Sequence, residues 1–380
     1  MTLWDDLVGQ EPAIAQMKAA AVPGSHAMTH AWLITGPPGS GRSTLAHAFA
    51  AELVGVGDTE AGWRQVIAGA HPDVSILSTN KVTITIEEVR ALVSFSYFSP
   101  SASNYRVVVI EDADRMTERT SNVLLKALEE PPPQTVWILC APSTADVLPT
   151  IRSRTRSVVL QVPSATDVAE LIAAREGLDA DLALVAAREA QSHIGMATRL
   201  ATDDAARSRR STSIELVLGV GSVSGAVGVA ASLLEIAGED ATALGERTDQ
   251  DERDALLTSL GVAPGGAVPS ALRSQLKSLE DDQKRRKTRN LRDALDRIMV
   301  DVMSVLRDVL MVQVEAGVDL INVSHGPAIE VKAHSTTPAM TLAGLDAVRE
   351  ARNRIAHNSP PLLVLEALLI SLSPAVSGRV

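Results

Sequence analysis

The 380-residue sequence predicts an α/β fold in its first part and an all-helical continuation. Three observations carry this. Short apolar runs alternate with helical patterns over residues 1–160, as in βαβ units built on a mostly parallel sheet. The first run leads into a glycine-rich turn and then a helix. All the aromatic residues, four Trp, two Tyr and three Phe, lie at or before Trp137. The core beyond that point must therefore come from Leu, Val, Ile, Ala and Met. At roughly 150 residues per domain, the length suits two to three domains.

The predicted strands follow in order. Residues 31–35 (AWLIT) form a short buried strand that runs into GPPGSGRST and the helical LAHAFAAELV. Residues 82–86 (VTITI) read as the second strand, with a helix starting at Ile86. Residues 106–110 (RVVVI) are a continuous apolar run, suited to a parallel strand covered on both faces. They end in Glu111, Asp112 and Asp114. The segment TSNVLLKALEE is helical, and Pro131, Pro132 and Pro133 stop it. Residues 136–140 and 158–160 are the fourth and fifth strands. A linker at 161–164 leads to an Ala-rich helical segment.

Boundaries are expected at 1–162, 163–210 and 211–380. The last part reads as helices, the clearest at 286–313. There Leu291, Leu295, Ile298, Val302, Val305 and Val309 recur every three or four positions, one apolar stripe. Residues 241–253 and 262–270 read as loops, and residues 362–372 as an apolar tail helix. The stripe and the tail helix are expected to form an assembly surface.

Charge and composition exclude several classes. With 35 basic and 46 acidic side chains the formal net charge is −11. A basic-patch nucleic-acid binder is not the first reading. Without aromatics after Trp137, the C-terminal region also lacks stacking platforms for bases. A direct DNA-binding module is thus disfavoured. The basic run Lys284, Arg285, Arg286, Lys287 and Arg289 reads as a solvated helix face, with DNA-backbone contact as the sharper alternative. Cys140 is the single cysteine, so no internal disulfide or cysteine-based zinc site can form. The first ten residues show no signal-peptide pattern. No run of 18 apolar residues suggests a membrane helix. A cytoplasmic protein without structural metal is expected.

Gly36, Pro37, Pro38, Gly39, Ser40, Gly41, Arg42 and Ser43 match G-x-x-x-x-G-K-[ST] except at Arg42. Such glycines let backbone N–H groups turn inward around phosphate oxygens, aided by the helix N-terminus. Ser43 is the expected magnesium ligand, with Thr44 beside it. Arg42 is a planar fork where the motif wants a compact point charge. After the third strand an active ATPase of this kind carries Asp-Glu; here the order is Glu111-Asp112. Gly36, Gly39, Gly41, Arg42, Ser43, Thr44, Glu111 and Asp112 are therefore the candidate site, in degenerate form. His71 in His71-Pro72-Asp73 reads as a turn or packing residue.

These motifs resemble a family. Val8-Gly9-Gln10, the phosphate loop, His71-Pro72-Asp73, LLKALEEPP at 124–132 and Ser153-Arg154 are similar to the AAA+ clamp-loader subunits of bacterial DNA polymerase III. The likeness covers residues 1 to about 200. It implies an AAA+ domain at 1–162, a helical lid at 163–210 and a helical collar at 211–380.

The family holds ATP-hydrolysing motors of the gamma/tau type and a stator that does not hydrolyse ATP. The chain resembles the stator. Arg42 and Glu111-Asp112 depart from the motor pattern. So do Ala141-Pro142-Ser143, where a sensor threonine belongs, and Met196, where a sensor arginine belongs, with Arg199 one turn on. The four zinc-binding cysteines usual before His-Pro-Asp are missing from residues 57–70. The resemblance implies no independent catalysis and no required cofactor, with ATP and Mg²⁺ bound weakly at most and no zinc. It implies gamma/tau and delta subunits as partners, with the sliding clamp and primed DNA reached through the complex. It also makes Arg154 an arginine finger offered in trans to a neighbour's ATP. The alternative is a motor ATPase of the gamma/tau type or another AAA+ enzyme.

Overall fold

The alternating side chains of the central strands divide between two apolar layers, which fixes the first half of the molecule as helix–sheet–helix. The computed structural model describes residues 2–79, 83–259 and 273–373. It divides into two compact units, Met1–Thr202 and Asp203–Val380.

The first unit contains strands β1 (Ala31–Thr35), β2 (Val74–Leu77), β3 (Arg106–Ile110), β4 (Thr135–Ala141) and β5 (Arg156–Val159). All pairings are parallel, in the order β2-β3-β4-β1-β5. Its helices are α1 (Glu11–Ala21), α2 (Arg42–Leu53), α3 (Glu60–Ile67), α4 (Ile86–Ser96), α5 (Glu118–Glu129), α6 (Pro149–Arg152), α7 (Ala165–Glu176), α8 (Ala180–Glu189) and α9 (Ile194–Thr202). Trp32, Ile34, Val107, Val109, Ile138 and Cys140 pack against α1, α2 and α3. Their neighbours Leu33, Val108, Ile110, Trp137 and Leu139 pack against α4, α5 and α6. Strands β1, β3 and β4 are buried along their whole length, as their unbroken apolar runs require.

The second strand is not where the β-branched run placed it. The strand is β2, residues 74–77. Val82 lies outside the described residues, Ile84 makes one isolated bridge to Met116, and Ile86 already begins α4. Thr85 and Glu88 form a reciprocal capping box there, and that local signal outweighs β-propensity. Residues 57–70, the segment without the zinc-binding cysteines, hold the short helix α3, capped by Thr59.

Helices α7, α8 and α9 enclose their own small core of Val168, Ile172, Ala183, Ala187, Ala197 and Leu200. The second unit consists of α10 (Asp204–Leu218), α11 (Val223–Ser259), α12 (Arg273–Gln313), α13 (Gly326–Ser335), α14 (Pro338–Ala356) and α15 (Pro361–Leu372). Helix α10 runs across position 210. Residues 241–253, expected as a loop, continue α11; Ala226, Ala230, Leu233, Ala237 and Ala241 hold that helix on the core by one apolar stripe. Residues 262–270 lie outside the described residues.

The predicted stripe on α12 is real but faces inward. Leu295, Ile298 and Val302 pack with Val348, Ile355 and Leu365, while Val305 and Val309 meet Ile329. The expectation that the stripe forms an assembly surface is corrected: it is the unit's own core. On α15, Val364, Leu365, Leu368 and Leu369 are buried, and Leu363 is exposed. In the basic run, Lys284 and Lys287 are exposed, and Arg286 turns to Asp249 at 3.7 Å.

Candidate functional site

Parallel sheets place binding sites beyond the carboxyl ends of their strands. Residues 36–41 leave the carboxyl end of β1 and feed α2. Gly39 has φ +81° and Gly41, the N-cap of α2, φ +93°, a region that L side chains rarely adopt. The loop thereby turns tightly, with the Ser40 N–H donating to the Pro37 carbonyl at 3.2 Å, and the buried Ser40 hydroxyl has no hydrogen-bond partner. Thr44 sits half-buried in the first turn of α2.

Helix α2 then crosses the sheet, with Leu45 and Phe49 in the same core as Val107, Val109 and Ile138. Positions 43 and 47 lie one turn apart on one face. His47 Nε2 is 2.9 Å from Glu111 Oε1. The hydroxyls of Ser78 and Ser43 also favour the ionised form of that carboxylate. Burial raises the Glu111 carboxyl, but His47 and the two hydroxyls outweigh it and hold the group below the ordinary value. Ser43 and Glu111 are thus brought together. Asp112 is not part of that contact: it accepts from the Thr79 N–H at 3.2 Å and sits 3.6 Å from Arg115 Nε. Burial, reinforced by Asp112, pushes the Asp114 carboxyl up.

Arg42 bends back on its own loop, with Nη1 donating to the Gly36 carbonyl at 2.9 Å. Cys140 is fully buried behind it, and burial pushes its thiol far up, so it is an inert packing group. His193 reaches the loop from the small helical cluster. Its Nδ1 accepts from the Met196 N–H at 3.2 Å, capping α9. Its ring lies on Gly39 so closely that a Cβ there would be 2.3 Å from the ring Cγ. Met196 is half-buried and packs against the helical core. The loop keeps the glycine conformations that the motif asks for, whereas the motif's arginine is held by a loop carbonyl.

Arg154 lies at the other end of the sheet. It follows α6 and precedes β5, beside the amino end of β1. Strand β1 spans about 16 Å at ~3.3 Å per residue, so its length separates Arg154 from the phosphate loop. The guanidinium is one-third exposed in an open cleft with Thr29, His30, Glu129 and Arg156. Nη1 donates to Thr150 O at 2.7 Å and to Ser153 Oγ at 3.1 Å; Nη2 is 2.6 Å from Glu129 Oε1. Arg156 donates to Ala27 O at 2.7 Å and stacks over Trp32, and Arg152 is exposed.

Sequence reasoning missed several of these partners. His71 is buried and accepts from the Asp73 N–H, a turn residue as expected. The more consequential residue is Asp73, fully buried. Its carboxylate accepts from the backbone and hydroxyl groups of Ser101 and Ser103, from the Ala102 N–H and from Arg106. Burial opposes its ionised form, but the Ser101, Ala102 and Ser103 donors win and lower its pKa to about 2. The roles of His47 and His193 were also unseen. His47 alone carries a readable signal, one turn after Ser43. Among the described residues, no group of three or more His, Cys, Asp or Glu side chains is placed to hold a metal ion, and no helix is long and apolar enough to cross a membrane.

Residues 9–164 match the family described as DNA polymerase III, delta subunit. The chain is 34% identical over 153 residues to DNA polymerase III subunit delta' of Pseudomonas aeruginosa, covering 38% of this chain and 47% of that one. It is 36% identical over 142 residues to the delta' subunit of Haemophilus influenzae, covering 36% and 43%. It is 30% identical over 158 residues to the gamma/tau subunit of Mycobacterium tuberculosis, covering 40% and 27%. The chain thus spans about half the length, or less, of the curated relatives it matches. A crystal structure of a DNA polymerase III gamma subunit-related protein from Thermotoga maritima superposes with TM-score 0.42 at 17% identity, covering 95% of this chain and 97% of that one. In its sheet-bearing part the chain resembles the delta-prime clamp-loader subunit, in agreement with the motifs read from its sequence.

Proposed function

We propose that this protein is a delta-prime-type stator of a DNA polymerase III clamp loader. In this reading it does not turn over ATP itself. It joins gamma/tau-type and delta-type subunits in an arc that places the sliding clamp on primed DNA, and it offers Arg154 to the ATP of a neighbouring motor. Its AAA+ region corresponds to 1–162 and its lid to the helices that end at Thr202; its collar is the unit from Asp203 on, because a boundary at 210 would cut α10.

The observation that carries the non-hydrolysing reading is the Arg42–Gly36 hydrogen bond of 2.9 Å. A motor needs a lysine charge reaching the β- and γ-phosphates. Here the corresponding cation is an arginine directed to a carbonyl of its own loop. Met196, packed against the helical core where a motor carries a sensor arginine, adds to this. The curled loop and the unpartnered Ser40 hydroxyl support weak nucleotide binding in the same cradle.

The trans role of Arg154 is supported by its position at the sheet end remote from this chain's own phosphate loop. A guanidinium is permanently charged and presents planar donors, as stabilising charge on a transferring phosphoryl group requires. The test of the first claim is ATP turnover by the isolated chain. The expected rate is well below about 1 s⁻¹, the low end of typical enzymes. A rate at or above that figure would favour the gamma/tau-type motor, which the gamma/tau relatives keep as the second reading.

A further inference from the structure

We infer that Glu129 is a positioning residue for Arg154, joining the LLKALEEPP and Ser-Arg motifs into one functional unit. The inference rests on the trans role proposed above.

The contacts of Arg154 are of two kinds. Thr150 O and Ser153 Oγ belong to its own turn. Glu129 comes from the end of α5, a separate element. Among the described residues, Glu129 alone therefore fixes the guanidinium relative to the rest of the domain. Glu129 is itself well placed to do so. The prolines after Glu130 end the helix there, and His30 Nε2, at the amino end of β1, lies 2.9 Å from the carbonyl of the adjacent Leu128. The helix terminus that carries the carboxylate is thus tied to the sheet.

A guanidinium has five N–H donors. The three contacts leave the Nε–H and one Nη2 hydrogen for an incoming phosphate. Glu129 is 49% exposed and Arg154 34%, so the pair contributes little to folding. What it supplies is restraint on a long side chain that otherwise carries considerable rotamer freedom. Two effects of Glu129 oppose one another. Its charge partly offsets that of Arg154, while its restraint holds the fork in place. Solvent screens the first, whereas a displacement of ~1 Å at a reacting group can cost about 10²-fold in rate. Restraint wins.

The test is ATP hydrolysis by the full complex, assembled from this chain and its ATP-hydrolysing partners. Glu129→Ala, Glu129→Gln, Arg154→Ala and the Glu129→Ala/Arg154→Ala double variant are compared with wild type. Glu129→Ala is expected to lower the rate by about twofold or more, the lower bound for coupling between contacting residues. Glu129→Gln keeps an acceptor for Nη2 and is expected to recover part of the loss. In the Arg154→Ala background, Glu129→Ala should have no further effect. A faster or unchanged Glu129→Ala complex, or an equal loss in both backgrounds, would overturn the inference. Arg154→Ala separates the two layers. If it leaves the rate unchanged, the trans role itself fails; if it lowers the rate while Glu129→Ala does not, only the positioning role fails.

Discussion

The two ends of the sheet present opposite solutions to the same problem of holding an arginine. At the carboxyl end, Arg42 is drawn onto the Gly36 carbonyl and the His193 ring lies on Gly39. At the amino end, Arg154 stands in an open cleft, restrained by a single surface carboxylate and two acceptors of its own turn. The first end has the motif of a nucleotide enzyme, but its arginine is bonded within its own loop. The second lacks a catalytic motif within this chain yet keeps donors facing outward. The glycine conformations of the motif and an arginine bonded to a loop carbonyl thus coexist in one loop.

A second contrast lies within the amino end. Asp73–Arg106 is a buried pair with added hydrogen bonds, and Glu129–Arg154 a half-exposed one. Removing one member of a buried pair strands the other charge without water. Asp73→Ala is therefore expected to cost about 3–5 kcal/mol of stability, against about 0–1 kcal/mol for Glu129→Ala. Denaturant unfolding of both variants checks this, and equal losses would break the distinction. The Asp73 pKa adds a pH signature. Its folded value of about 2 lies below the ordinary 3.8. Its contribution is complete above the ordinary value and is lost as pH falls through that window to about 2. Asp73→Ala should flatten the acid limb of the stability curve in that range.

The carboxyl end can be probed by filling the contact under His193. Gly39→Ala introduces a side chain at φ +81° and drives a Cβ into the ring. A left-handed non-glycine residue costs about 1–2 kcal/mol, and displacing His193 adds to that. His193→Ala in the Gly39→Ala background should recover the steric part and leave the backbone part. Thermal unfolding of the single and double variants measures both. No recovery would mean that the ring contact does not constrain the loop.

Much of this architecture was legible in the sequence because buried parallel strands are unbroken apolar runs. Residues 31–35 and 106–110 were located residue for residue, and the fourth and fifth strands to within two positions. The second strand was not, since VSIL is short and half-buried at a sheet edge whereas VTITI had the stronger β composition. The capping box at Thr85 and Glu88 was the readable counter-signal. The α12 stripe was read correctly as apolar, but periodicity says that a face is covered, not by what. At the candidate site, the glycines and Ser43 with Glu111 followed from motif spacing. His193 on Gly39, Glu129 on Arg154 and the donors around Asp73 join positions far apart in sequence, and no local pattern encodes such contacts.

The smallest expected effect is also informative. Arg42→Lys restores the phosphate-loop pattern, but the Glu111-Asp112 order and Met196 remain. Hydrolysis by the isolated Arg42→Lys chain should stay below about 1 s⁻¹. Turnover above that rate would mean that Arg42 alone separates this site from an active one.

Arg154 is the residue on which the proposed trans role rests. Its direct test is DNA-stimulated ATP hydrolysis by the full complex containing Arg154→Ala, measured after assembly has been verified. Supplied arginine fingers contribute about 10³–10⁵ in related phosphoryl-transfer enzymes. Where other ATP sites keep their own fingers, the fall across the complex will be smaller. The predicted result is an intact complex with a clearly reduced rate. An intact complex with an unchanged rate would contradict the account.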